Sequence, residues 1–244
     1  MPRYEFPAYV PVAQRRARAA REIAKRTKKG VAVEPVTIDG RLIAKTFWGK
    51  AWCDHLEGCS DFANRLPRGR TYVRNGSVLH LAVGAKRIEA LVQGSELYEV
   101  SIAIPALPKP RWKAIVGASG GQIASLVELL QGKLSAGVMK IVTHPEKGLF
   151  PAPAQVEMSC SCPDFATMCK HVAAVLYGVG ARLDTKPELL FRLRGVDHLE
   201  LIAGAASAKV TAAPSGTRRR LASDELSGIF GIELDAAPKR SRRR

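Results

Sequence analysis

Four residues of metal-binding type fall within twelve positions of this chain: Cys160, Cys162, Cys169 and His171. Their pattern is C-x-C-x6-C-x-H. Thiolates and imidazole are the preferred ligands of zinc, and three of one with one of the other saturate a tetrahedral ion. Such a shell leaves no position for water or substrate, so the pattern predicts one structural Zn(2+) per chain rather than a catalytic one. A disulfide between Cys160 and Cys162 would close a strained ring, because disulfide geometry is narrowly constrained.

The spacing says which elements must carry these ligands. Val156 to Ser161 reads as a strand, and residues two apart on a strand point to the same side. Cys160 and Cys162 can then face one ion. Pro163-Asp164 turns the chain. From Cys169 onward the pattern is helical, with Val172, Val175, Leu176 and Val179 forming an apolar stripe. Residues two apart within a helix diverge by about 200°. Cys169 must therefore sit just before the helix or at its cap, with His171 in the first turn. There the positive end of the helix favours a thiolate. The predicted unit is a strand, a turn and a helix clamped by zinc.

The pattern, with Pro163-Asp164-Phe165 after the first cysteine pair and Cys169-Lys-His-Val-Ala-Ala-Val-Leu-Tyr177 at the second, resembles a SWIM-type zinc finger. Further stretches resemble bacterial SWIM zinc finger family proteins. They are Phe47 to Trp52 (FWGKAW), Leu66 to Gly76 (LPRGRTYVRNG), Leu129 to Ser135 (LLQGKLS) and Gly178 to Asp184 (GVGARLD). The likeness covers residues 46–203 and spares the basic ends. It implies zinc binding, DNA or protein binding by the finger, and association with Swi/Snf-type helicases or ATPases.

Other side chains invite weighing. Arg68, Arg70 and Arg74 fall in a glycine-containing loop at the start of a β pattern, and Lys170 lies between two zinc ligands. All four are candidate nucleic-acid contacts, since arginine bonds phosphate oxygens bidentately and positions a protein on a nucleic acid. Of Cys53, His55 and Cys59, the two cysteines do not share a helix face cleanly and no fourth ligand is nearby in sequence, which predicts packing rather than a second metal site. Trp48, Trp52 and Trp112 recur with aliphatic residues at helical spacing, the signature of a core rather than of base stacking. The chain has no Walker A loop, no G-x-S-x-G and no H-E-x-x-H, so the expectation is a protein that is not an enzyme.

Composition sets the frame. The 244 residues are 46% hydrophobic, enough for a packed core. The formal charge is +16. Residues 1–45 contribute 11 basic and 4 acidic side chains, residues 206–244 contribute 9 and 4, and the middle is nearly balanced. Excess positive charge favours a polyanion through counterion release, and DNA is the expected partner ahead of RNA. Five cysteines with no secretory leader pattern predict a reducing, cytoplasmic location. No apolar run is long enough for a membrane span.

The expected organisation is a basic flexible arm over 1–45, an α+β body over 46–150, the finger and following helices over 151–205, and a basic, largely disordered tail over 206–244. Residues 13–29 have too few apolar side chains for a packed face and predict a conditionally helical arm. In the tail, Leu221 to Leu234 could dock as a short element. In the body a helix runs from Thr46 and ends before Pro67. An antiparallel meander follows over Thr71–Arg74, Val78–Gly84, Arg87–Gln93 and Leu97–Pro105, with Leu79, Leu81 and Val83 on one face and Val100, Ile102 and Ile104 on another. Helices are expected over Trp112–Val116, Gln122–Gln131 and Leu134–Val142.

Overall fold

The computed structural model describes residues 10–58, 64–120, 122, 123 and 125–203. Its architecture is α+β, as the pattern predicts. In chain order the elements are α1 (Val12–Lys28), α2 (Phe47–Glu57), α3 (Leu66–Arg74), β1 (Val78–Val83), β2 (Arg87–Gln93), β3 (Leu97–Ala103), α4 (Lys109–Ser119), α5 (Leu126–Gln131), α6 (Ala136–Val142), β4 (Glu157–Cys160), α7 (Lys170–Leu183) and α8 (Glu188–Leu193). The expectations for residues 206–244, including Leu221 to Leu234, lie outside the described residues. None of the described helices is long and apolar enough to cross a membrane.

The sheet is antiparallel in the order β1-β2-β3-β4. Alternating burial along β2 and β3 shows one covered and one open face. Register brings Val83, Ile88 and Ile102 into one row and Leu81, Ala90 and Val100 into the next. Directly paired residues project to the same side of a sheet. The two apolar sets expected on different faces therefore share the covered one, a consequence of pairing that a single strand's alternation does not reveal. An irregularity between Val78 and His80 lets both Val78 and Leu79 be buried.

Helix α7 fills the centre of the molecule. Every residue from His171 to Gly180 is buried, as expected of a helix that is apolar on all sides. It packs against α2, α3 and the covered face of the sheet. Two close crossings depend on glycine. At Gly69 of α3 a Cβ would fall 2.5 Å from the Ala173 Cβ. At Gly180 a Cβ would fall 2.6 Å from the Cys53 Sγ. The three tryptophans are core residues, with relative exposures of 0% for Trp48, 4% for Trp52 and 5% for Trp112. Their indole N–H groups donate to Leu129 O, Leu176 O and Glu200 Oε2, each at 2.8 Å, which removes the penalty for burying them.

Three sequence expectations are corrected in this region. Residues 71–74 are not a strand, and Arg68, Arg70 and Arg74 are not in a loop: all four positions from 71, and the three arginines, belong to helix α3. Pro67 sits in its first turn, where the missing N–H is no loss. The β-branched and aromatic side chains of Thr71-Tyr72-Val73 favour a strand locally, but the Gly69–Ala173 contact holds the segment as a helix against α7. The expected long helix before Pro67 ends instead at Glu57.

The N-terminal arm is helical in part. Residues 12–28 form a helix that docks without an apolar stripe. Ala19 is buried, the Arg15 guanidinium lies 4.5 Å from the centroid of Tyr72, and Arg16 and Arg18 bond Asn75 and the Ser95 carbonyl. Arginine stems and a cation–π contact supply the packing that apolar residues usually provide. Beyond α1, the chain lies along β1, with Leu81 N–H donating to Glu34 O and Val36 N–H to Val78 O.

Candidate metal centre

The register of the sheet places the first ligand. Cys160 pairs with Val100 at the end of β4, so its side chain points to the face that α7 covers. Ser161 carries the pairing one residue further: its N–H donates to Glu99 O and its hydroxyl accepts from Glu99 N–H. The loop that carries Cys162 toward α7 is held by Asp164. Its carboxylate accepts from Ala166 N–H at 3.2 Å and forms an ion pair with Arg65 at 3.0 Å.

Cys169 is the N-cap of α7, and its sulfur accepts from Val172 N–H at 3.5 Å. A side-chain acceptor at this position satisfies one of the otherwise unpaired N–H groups of the first turn. His171 lies in that turn, as predicted. Its ring is stacked on Tyr98, with centroids 4.4 Å apart, and meets Tyr72 edge-on at 5.3 Å. Behind it is Gly94, where a Cβ would fall 2.8 Å from His171 Nε2. The two tyrosines and Gly94 fix the imidazole so that Nδ1 faces the cysteines. Sequence spacing gave no sign of them, because they come from other elements.

The four ligand atoms lie within 4.8 Å of one another. His171 Nδ1 is 3.8 Å from the sulfurs of both Cys160 and Cys169. A tetrahedron with zinc about 2.3 Å from each sulfur has edges of roughly 3.8 Å, so the arrangement fits that ion. Cys160, Cys162, Cys169 and His171 are placed to bind one zinc. Among the described residues they are the grouping of Cys, His, Asp and Glu with metal-binding geometry.

The electrostatics of the thiols agree with this use. The hydrogen bond from the Cys160 thiol holds Cys169 down at about 3, with burial opposing it and the His171 and Val172 hydrogen bonds adding to it. The same bond pushes Cys160 up, and burial raises Cys162. One thiolate is thus stabilised at the helix terminus, while the ion itself supplies the charge that deprotonates the other two.

The remaining candidates separate. Arg68 and Lys170 line a cleft beside the zinc ligands, together with Arg65, Ser95 and Tyr98. Lys170 Nζ lies 5.9 Å from the Tyr72 centroid. Arg70 points elsewhere and pairs with Glu57 at 2.6 Å. Glu57 also accepts from the Tyr177 hydroxyl at 2.8 Å. Arg74 is exposed at the far end of α3. Cys53 packs against Gly180, and burial, followed by the charges of Glu57 and Asp54, pushes its thiol up to about 12. The His55 Nε2 atom meets Pro151 O at 2.7 Å. Cys59 lies outside the described residues.

Comparison with known proteins agrees with this geometry. Residues 148–179 match the SWIM zinc finger family, and this segment is a SWIM zinc finger. The chain is similar to the uncharacterized protein Rv2102 of Mycobacterium tuberculosis, with 34% identity over 174 residues. The match takes in 70% of this chain and 62% of that relative. No solved structure matches.

Proposed function

We propose that this chain is a non-catalytic, cytoplasmic DNA-binding protein in which the zinc clamp sets the position of a basic cleft. The observation that carries this reading is the convergence of Arg68 and Lys170 on the cleft beside the metal ligands. Asp164 is the carboxylate in that cleft, and it is already paired with Arg65. Helix α1 abuts it through the bond from Arg18 to Ser95 O and carries the exposed Arg21, Lys25 and Lys28. Arg68 of α3 and Lys170 of α7 thus line one concavity, with the basic α1 beside it, a suitable seat for a phosphate backbone. The closed set of four protein ligands supports a structural rather than a catalytic role for the metal.

The test is fluorescence anisotropy of zinc-loaded protein with duplex DNA across a salt series. The expected plot of log affinity against log salt is steep. Arg68→Ala with Lys170→Ala reduces its slope by about 0.9 for each phosphate that is no longer neutralised. An affinity indifferent to both salt and these substitutions would overturn the reading.

One observation favours a second reading. Phe165, between the second and third ligands, is 91% exposed. An exposed large apolar side chain on the zinc loop suits a protein surface, and a Swi/Snf-type ATPase is the partner that the family likeness implies. A partner retained after nuclease treatment by the wild type and absent with Phe165→Ala would favour that reading. Release of the partner on nuclease treatment would favour DNA.

A further inference from the structure

Arg111 and Arg194 carry buried guanidinium nitrogens that no acid among the described residues bonds. Arg194, at the end of α8, is 0% exposed. Its Nη1 donates to Pro105 O at 2.7 Å, but its Nε and Nη2 are buried without a partner. Arg111, in the first turn of α4, also has Nε and Nη2 buried without a partner. In both residues the unpaired atoms are the same two. They form the side-on fork with which arginine grips the two oxygens of a carboxylate or phosphate.

The surroundings add positive potential. Helix α4 runs over eleven residues, has no acidic residue in its first turn, and begins Lys109-Pro110-Arg111. Its N-terminus carries the positive end of the helix dipole. Glu200, which is bonded to the neighbouring Trp112 indole, makes no bond to either fork. Arg194 is pushed down to about 10, by burial first and by the charge of Arg111 second. Burial also lowers Arg111. Two like charges without a counterion among the described residues are unfavourable in a buried setting, and an anion bonded to both forks would remove the repulsion and satisfy the orphaned donors.

We propose that Arg111 and Arg194 form a binding site for a small tetrahedral oxyanion, phosphate or sulfate, at the N-terminus of α4. Four fork N–H atoms match an ion with oxygens on several sides better than a planar monocarboxylate. The site is independent of the DNA-binding cleft, since it shares no residue with it.

The experiment uses full-length, zinc-loaded protein. Its melting temperature is followed against inorganic phosphate, sulfate, acetate and chloride at constant ionic strength. The range is about 1–10 mM, below the concentrations at which these anions act through general exclusion from the protein surface. Isothermal titration calorimetry with phosphate gives the affinity directly. The expected result is a saturable rise with phosphate and sulfate but not with acetate or chloride. Arg111→Gln, at a half-buried position, weakens phosphate binding by about tenfold or more, while Arg87→Ala, at an exposed ion pair on β2, leaves it unchanged. Arg194→Met abolishes the response; should that variant not fold, Arg194→Lys, which keeps the charge and loses the fork, weakens it. An equal response in wild type and Arg111→Gln, a rise common to all four salts, or no response in the wild type would overturn the proposal. Loss of phosphate binding in Arg68→Ala would assign the ion to the zinc-side cleft and would equally overturn it.

Discussion

Helix α7 is held in two opposite ways. At its N-terminus Cys169 and His171 are drawn together with two cysteines from a strand and a loop, and the chemistry of an ion closes the junction. Just past the ligands Gly69 of α3 approaches the Ala173 backbone, and near the far end Gly180 meets the Cys53 side chain on α2; fit alone closes those seams. The two thiols show the contrast. Cys169 is held down at about 3 by its hydrogen bond with Cys160, whereas Cys53 is pushed up to about 12 by burial. A helix apolar on all sides gains its place by packing, but nothing in packing alone fixes where it starts. Zinc supplies that reference point.

The largest effect should come from the metal end. Cys169→Ser is expected to reduce zinc from one per chain to near zero by metal analysis, and to abolish a sharp thermal transition. Structural zinc contributes apparent energies of about 10–16 kcal/mol in zinc-finger peptides, while whole domains are stable by only about 5–15 kcal/mol. Because α7 packs on α2, α3 and the sheet, the loss should spread beyond residues 155–180. A variant that released its zinc but melted at the wild-type temperature would show that packing holds both ends.

When the α3 seam beside the clamp is broken, the clamp itself should survive. In Gly69→Ala the new Cβ would fall 2.5 Å from Ala173 Cβ and 2.8 Å from the Ala173 carbonyl carbon. Neither is the flexible end of a side chain, so the helices must separate, at about 3 kcal/mol. Denaturant unfolding measures the change, and zinc should remain at one per chain. Gly117→Ala is the control. It lies in α4 with nothing within 4 Å of the new atom, and should stabilise by about 0.5–1 kcal/mol through the lower entropy of the unfolded chain.

This contrast also explains what could be read from the sequence. The clamp was legible because metal chemistry restricts residue type and spacing within a dozen positions. The cap position of Cys169 followed from the 200° divergence of residues two apart. Helix α3 was not legible: Thr71-Tyr72-Val73 has strand character on its own, and the contact that decides against it is more than a hundred residues away. The docking of α1 was hidden for a related reason. Its anchor is Arg15 on Tyr72, a contact that an apolar-stripe search does not register. The shared face of β1 and β3 depended on register, which belongs to pairs of strands. The aromatic walls around His171 likewise come from α3 and β3, and no local pattern joins them to the ligands.

A pH series sharpens the comparison at the packed end. The Cys53 thiol is raised from 9.0 to about 12, so above pH 9 the unfolded chain loses that proton more readily than the folded one. The folded state then binds more protons, and stability falls as pH rises from 9 toward 12. Burial and the acid on Tyr177, Glu57, raise that phenol too and act in the same direction. Cys53→Ala should flatten the alkaline decline by about 2 kcal/mol at pH 11, after discounting for partial solvent screening. Parallel curves for the two proteins would mean that the thiol is not the titrating group.

The smallest stability effects belong to two arginines on α3 that lie two residues apart and point different ways. Arg70 pairs with Glu57 at 2.6 Å, with half-exposed side chains on both sides, and its guanidinium lies 5.8 Å from the Tyr177 centroid. Arg70→Ala should destabilise by about 1 kcal/mol, the upper range for a surface pair, and leave DNA affinity unchanged. Arg68 has its side chain in the zinc-side cleft. Its replacement by alanine should change stability by less than about 0.5 kcal/mol, yet weaken DNA binding at low salt and reduce the salt dependence. One helix would then present a structural arginine to the packed seam and a binding arginine to the metal-held cleft. If the two substitutions affected DNA binding equally, the charge of α3 as a whole, and not the cleft set by the zinc, would be what the nucleic acid meets.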